Sequence, residues 1–213
     1  MLRLKLAENH AVEKNLAPMK TAISQISDLT AQIVAYAREG KYRPSVIDLN
    51  ELVAVSLAAI SHAENDDVHI EKTLGINLPE VIADQDQMEM VLHIILSNSS
   101  EAMQGKGRIQ ISVNNVEILK DDEQLLAGVR AGHYVCLTVA DDGEGMDEQT
   151  LKQIFDPFFS TKILGRGLGM AAVYGVVKNH EGFIDVSSQI GKGTSVRIYL
   201  PVVEANDAHE SMH

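Results

Sequence analysis

Three stretches of this 213-residue chain hold residue types suited to chemistry rather than packing. The first is Asp141-Asp142-Gly143-Glu144-Gly145-Met146, which follows the apolar run Tyr134-Val135-Cys136-Leu137-Thr138-Val139. Two glycines one residue apart let the backbone turn sharply and let a ligand come close. An aspartate at a strand end can accept a hydrogen bond from an exocyclic amine; a plain acidic turn is the alternative. The second is Gly165-Arg166-Gly167-Leu168-Gly169-Met170, at the start of a helix. Its free N–H groups suit phosphate, and Lys162 and Arg166 add cations beside it; a flexible loop with a helix cap is the alternative. It does not follow the first strand of a βαβ unit, which sets it apart from a dinucleotide fingerprint. The third is Asn98, on a helix predicted over 86–103. Asn98 borders an inward stripe of Met88, Val91, Leu92, Ile95, Leu96, Ser99 and Ala102. Its amide is either satisfied by backbone or is a ligand for a hard cation such as magnesium.

The rest of the composition narrows the classes. Lys plus Arg is 18 and Asp plus Glu is 30, a net charge of −12. That balance argues against nucleic acid and anionic membranes as general partners, while a local basic cluster could still grip a phosphate. One cysteine, Cys136, excludes an internal disulfide and a four-cysteine metal site; its apolar setting reads as a buried strand residue. No apolar run approaches the roughly 20 residues of a membrane helix, and Met1–Leu6 is too short for a signal peptide. A cytoplasmic location is expected, either as a cytosolic protein or as the cytoplasmic part of a membrane-bound one. The eight histidines show no metal-like spacing and read as solvated or packed.

Elements must position these stretches. Leu16, Met19, Ile23, Ile26, Ile33 and Ala37, with Thr30 in the gap, form a heptad-like stripe that Gly40 ends. That long helix needs a partner. From Lys41-Tyr42-Arg43-Pro44 onward, strands and helices alternate. A strand is predicted near 45–48, then Asn50 as N-cap of a helix to about 62, then strands near 68–74 and 80–83. Asp84-Gln85-Asp86-Gln87 resembles a capping box. After a turn at Gly105-Lys106-Gly107 come a strand through Ile109, Ile111 and Val113, a surface excursion over 117–132, and a strand over 133–140. Helices near 147–154 and 168–180 and strands near 182–188 and 193–200 close the unit. The pattern predicts a two-layer α+β sandwich.

In this order and spacing, Asn98, DDGEG, IFDPFFSTK, GRGLGM and GKGTSVRIYLP resemble the ATP-binding catalytic domain of bacterial sensor histidine kinases, over roughly residues 45–202. The resemblance implies the Bergerat, or GHKL, fold preceded by a long dimerisation helix. Its divisions would be a partial dimerisation and phosphotransfer hairpin at 1–43, the catalytic domain at 44–203 and an acidic flexible tail at 204–213. It implies ATP and magnesium as cofactors. Asn98 would hold the metal, with Glu101 one turn on as a supporting contact. Asp141 would read the adenine amine, and Gly143, Gly145 and Met146 would shape that pocket. Phe155, Phe158 and Phe159 would hinge a short lid carrying Lys162 and Arg166. Gly165, Gly167, Leu168 and Gly169 would receive phosphate, and Thr194 would support the adenine pocket. Partners would be a second copy of the chain through the N-terminal helix and a response regulator receiver domain.

Two positions depart from that pattern. The phosphoacceptor histidine of such kinases lies in the first hairpin helix beside an acid. His10, followed by Ala11-Val12-Glu13, falls where the interhelical loop is expected, so the acceptor is expected upstream of Met1. The position four residues before Asn98 is Ile94, where relatives carry an asparagine or a water-activating glutamate. A kinase is the leading expectation, a nucleotide-binding pseudokinase module the alternative, and a hydrolysing ATPase is disfavoured.

Overall fold

The computed structural model describes residues 42–60, 67–119, 129–161 and 167–203. The predicted helix over 13–39, the body of the 117–132 excursion and the tail at 204–213 lie outside them.

Strand β1 (Ser45–Ile47) leads into helix α1 (Leu49–Ile60), followed by β2 (Asp67–Leu74), β3 (Val81–Ala83) and α2 (Gln85–Ala102). Then come β4 (Lys106–Ile118), β5 (Gly132–Asp141), α3 (Glu148–Gln153), α4 (Gly169–Asn179), β6 (Phe183–Gln189) and β7 (Gly193–Pro201). Five strands form one sheet in the order β2-β4-β5-β7-β6. β2 runs parallel to β4, and every other neighbour in this sheet is antiparallel. β1 and β3 make a separate antiparallel pair.

Period-two alternation decides which face of the sheet is covered. Ile109, Ile111 and Val113 of β4, Val135, Leu137 and Val139 of β5, and Val196, Ile198 and Leu200 of β7 share one core with α1, α2 and α4. Met88, Leu92 and Ile95 of α2 are its largest fully buried helical side chains. Burying each contributes about 1.5–3 kcal/mol, so tertiary packing holds α2 in place. Cys136, 5% exposed, lies on β5 as expected, and burial pushes its thiol pKa up. Among the described residues no helix is long and apolar enough to cross a membrane.

Local chemistry corrects several boundaries. Asp48, not Asn50, caps α1: the Asn50 N–H donates to Asp48 Oδ1 at 2.7 Å. The Asn50 side chain instead donates to the Gly75 carbonyl at 3.0 Å. The turn before β4 spans Met103, Gln104 and Gly105, so Lys106 and Gly107 belong to the strand. β4 runs on to Ile118, shortening the expected excursion. On α2, Ile94 joins the buried stripe and Ala102 is only half-buried.

Candidate functional site

Strand β5 ends at Asp141, opposite Thr194 of β7. Three donors converge on its carboxylate. The Gly143 N–H (3.0 Å) and the Thr194 N–H (3.2 Å) donate to Oδ1, and the Ser99 hydroxyl donates to Oδ2 at 2.8 Å. A carboxylate has about four lone-pair positions. Among the described residues these three donors leave the fourth, on Oδ2, for an incoming donor.

Glycines let the backbone close around this carboxylate. A side chain at Gly143 would collide with Ala102 of α2, and one at Gly193 with the Asp141 carbonyl. Gly145, at φ +66°, passes so near the Gln189 carbonyl that no Cβ fits. The Met146 N–H donates to Ser188 Oγ at 2.8 Å, and Ser188 donates to the Gly193 carbonyl at 2.9 Å. Ser188 Oγ also lies 3.0 Å from Thr194 Oγ1. With its single proton committed to Gly193, Ser188 can only accept from Thr194. A chain of hydroxyls therefore ties the Gly143–Met146 loop to the β6–β7 hairpin.

The second glycine stretch opens α4. Leu168 occupies the N-cap position without a side-chain cap bond, so no side chain of this residue covers the first N–H groups. Gly167, at φ +64°, accepts the Phe158 N–H at 2.9 Å, and a side chain there would collide with the Phe158 and Phe159 backbone. Phe158 stands at φ +69° and is 77% exposed, a left-handed conformation costing a non-glycine residue roughly 1–2 kcal/mol. Phe155 packs on the core and against the Tyr174 ring, centroids 5.2 Å apart. The phenylalanines therefore divide: Phe155 is core and Phe158 is surface. Lys162, Gly165 and Arg166 lie outside the described residues.

Asn98 is half-buried on α2, next to Ser99, and Glu101 is exposed one turn further on. Ile94 is 7% exposed within the apolar core and offers no ligand atom. Among the described residues no group of three His, Cys, Asp or Glu side chains could hold a metal ion. A hard cation that keeps its waters and shares phosphate oxygens needs only one or two protein oxygens, and the Asn98 amide fits that requirement.

The structure thus brings Asp141, Gly143, Gly145, Met146 and Thr194 into one cluster, and Ser99 ties that cluster to the helix bearing Asn98. It adds two residues that sequence reasoning missed. Ser99 is a hydroxyl in an otherwise apolar stripe, and by helical spacing alone it counts as packing. Ser188 carries no local signal; only the pairing of β6 with β7 places it opposite Thr194.

Residues 83–204 match the family model described as histidine kinase-, DNA gyrase B-, and HSP90-like ATPase. The sensor kinase CckA of Brucella abortus (strain 2308) is 32% identical over 185 residues, covering 86% of this chain and 20% of that protein. The chain thus spans a fifth of the length of that curated relative. The crystal structure of histidine kinase ThkA in complex with response regulator protein TrrA superposes with a TM-score of 0.70 at 19% identity, covering 91% of this chain and 52% of that one. Full-length ShkA in complex with AMPPNP gives 0.69 at 20% identity, covering 91% and 39%.

Proposed function

Because the chain belongs to the histidine kinase-, DNA gyrase B- and HSP90-like ATPase family, we propose that it is the catalytic part of a sensor histidine kinase. It binds magnesium–ATP and presents the γ-phosphate to a histidine of a phosphotransfer hairpin. The observation that carries this reading is the Asp141 carboxylate, held by three donors with one acceptor position open. A rigid acceptor of that kind recognises the adenine amine and leaves the oxo group of guanine unpaired.

The chain's own residues supply the rest. Asp141 orients the base, and Gly143, Gly145 and Met146 bound its pocket. The start of α4 at Gly167, Leu168 and Gly169, where Leu168 offers no side-chain cap, receives phosphate, with Lys162 and Arg166 neutralising its charge. Asn98 would hold magnesium, supported by Glu101; the ion would neutralise phosphate charge during transfer. ThkA has been solved in complex with a response regulator and ShkA with AMPPNP, which supports a receiver domain and an adenine nucleotide as partners here. Pairing of two copies through the apolar seam at 16–37, and a cytoplasmic location, complete the reading.

Calorimetry tests it. ATP should bind and GTP should not, and Asp141→Asn should weaken ATP by roughly ten- to a hundred-fold, as for loss of a charged hydrogen bond of about 1.5–3 kcal/mol. Equal ATP affinity in the two proteins would refute the assignment.

One observation favours a second reading, a nucleotide-binding module that signals without phosphotransfer. Ile94 is buried one turn before Asn98, where it supplies neither a metal ligand nor a base. Tight ATP binding without transfer to a folded acceptor hairpin would select that reading.

A further inference from the structure

The start of α2 and the end of α4 meet at His180, which is 2% exposed. This junction lies roughly 20 Å along α2 from Ser99 at about 1.5 Å per residue. The Asp84 N–H donates to His180 Nε2 at 2.9 Å, and His180 Nδ1 lies 2.7 Å from the Val176 carbonyl. An amide can only donate, so Nε2 must keep its lone pair and Nδ1 must carry the proton given to Val176. The imidazole is therefore neutral and locked in one tautomer. Asp84 completes the junction: Oδ1 accepts the Gln87 N–H at 3.1 Å and Oδ2 accepts the Arg43 N–H at 2.9 Å. The Tyr42 ring stands edge-on to His180, centroids 5.1 Å apart. One imidazole and one carboxylate thus join residues 42–43, where the chain runs toward β1, to the start of α2 and the end of α4.

Gln87 shows that a second arrangement is built in. In a complete capping box its side-chain oxygen would accept the Asp84 N–H. That donor has gone to His180 instead, and Gln87 Oε1 is buried without a hydrogen-bond partner. Capping-box spacing thus offers the Asp84 amide a second acceptor in Gln87 Oε1, while the bond formed is the one to His180.

We propose that His180 is a proton-gated positioning residue that latches residues 42–43, α2 and α4 together when neutral and, when protonated, releases residues 42–43 and re-forms its link to α2 through the Asp84 carboxylate. On protonation Nε2 gains a proton from solvent and can no longer accept. The Asp84 N–H then passes to Gln87 Oε1, and the new Nε2–H turns to the Asp84 carboxylate in competition with the Arg43 N–H. The Nδ1–H bond to Val176 is kept. Among the described residues the charged and titratable groups around the ring are the Asp84 carboxylate and the Tyr42 phenol, which itself faces Asp84 and Glu181. Burial, the largest influence, lowers the His180 pKa from 6.5 against the opposing pull of Val176 and Asp84, so the latch is closed at neutral pH and opens on acidification. Resting on the nucleotide reading above, the latch also sets how α2, with Asn98 and Ser99, stands against α4, with Gly169, and so tunes nucleotide affinity.

The chain has no tryptophan, so Tyr42→Trp installs a single emitter against the imidazole, which quenches indole when protonated. Emission followed from about pH 8 to about pH 5 should titrate with a midpoint below His180's ordinary value. His180→Gln, whose amide oxygen can accept from Asp84 without titrating, should abolish that transition. Gln87→Met leaves the closed state intact and removes the open state's acceptor, so it should move the midpoint lower. Magnesium–AMPPNP affinity, by calorimetry, should fall about fivefold or more across this range in the native chain relative to His180→Gln; the ratio cancels titration of the phosphates. An emission transition that survives His180→Gln, a midpoint unmoved by Gln87→Met, or an affinity ratio constant with pH would overturn the proposal. Absence of nucleotide binding at every pH would refute the nucleotide reading and its clause here, while the emission titration decides the latch itself.

Discussion

Ser99 donates its hydroxyl to Asp141 Oδ2 at 2.8 Å, joining a helix to a strand end 42 residues away in sequence. Ser99 is 4% exposed, so its proton has no competing water to serve. The bond fixes the carboxylate's rotamer and leaves Oδ2 one position for an incoming amine. A neighbour of Asn98 thereby becomes part of base recognition, and one turn of α2 serves both ends of the proposed nucleotide.

Ser99→Ala should therefore weaken ATP binding without unfolding the chain. The loss is expected to be roughly fivefold to tenfold, below the full worth of a charged hydrogen bond because water can enter the vacated space. Calorimetry beside far-UV circular dichroism checks it. Unchanged affinity in a folded variant would show that the serine only packs.

Gly193→Ala and Gly175→Ala should act in opposite directions. At Gly193 a Cβ would overlap the Asp141 carbonyl, and φ is +86°; nothing within 4 Å meets a Cβ at Gly175, inside α4. Gly193→Ala should destabilise by more than about 2 kcal/mol, whereas Gly175→Ala should stabilise by about 0.5–1 kcal/mol through helix propensity. Urea melts of both variants decide.

Asn98→Ala should remove the magnesium-dependent share of ATP affinity. In the native chain, affinity with magnesium should exceed that in chelator by about tenfold. In the variant the ratio should approach one while metal-free binding persists. A preserved ratio would move the metal's ligand elsewhere, with Glu101 the next residue to test.

The His180 pKa is lowered by burial, so the unfolded chain binds its proton first as pH falls. Its contribution to stability is complete above the ordinary value of 6.5 and is lost as pH drops from there toward the folded value. Urea midpoints of the native chain and His180→Gln should run parallel above that value and converge or cross below it. Parallel curves throughout would show that His180 does not titrate on unfolding.

Much of this was legible from residue order alone. Alternation through Ile109, Ile111 and Val113 marked β4, the apolar run over 134–139 marked β5, and the stripe through Met88, Leu92 and Ile95 marked α2, because alternation, apolar runs and helical spacing are local properties. The spaced glycines marked Gly143, Gly145 and Gly167, because a close backbone approach excludes a Cβ wherever it happens. Asp84 was legible as a helix cap for the same local reason. The cap of α1 was not, since Asp48 and Asn50 are both good caps and only the backbone path between them chooses.

Residue types and spacing thus marked which side chains can do chemistry: an aspartate at a strand end, an asparagine on a helix, and glycines at a helix start. Tertiary structure alone decided which of them act together. Ser188 meets Thr194 through the register of β6 with β7, and Ser99 turns from packing to positioning because Asp141 ends opposite it. The Asp84 amide reaches His180, 96 residues away, rather than Gln87, three away. Local rules favour the near acceptor. Packing α2 against α4 puts the far one in line and takes water away from both, and that choice cannot be read from either segment alone.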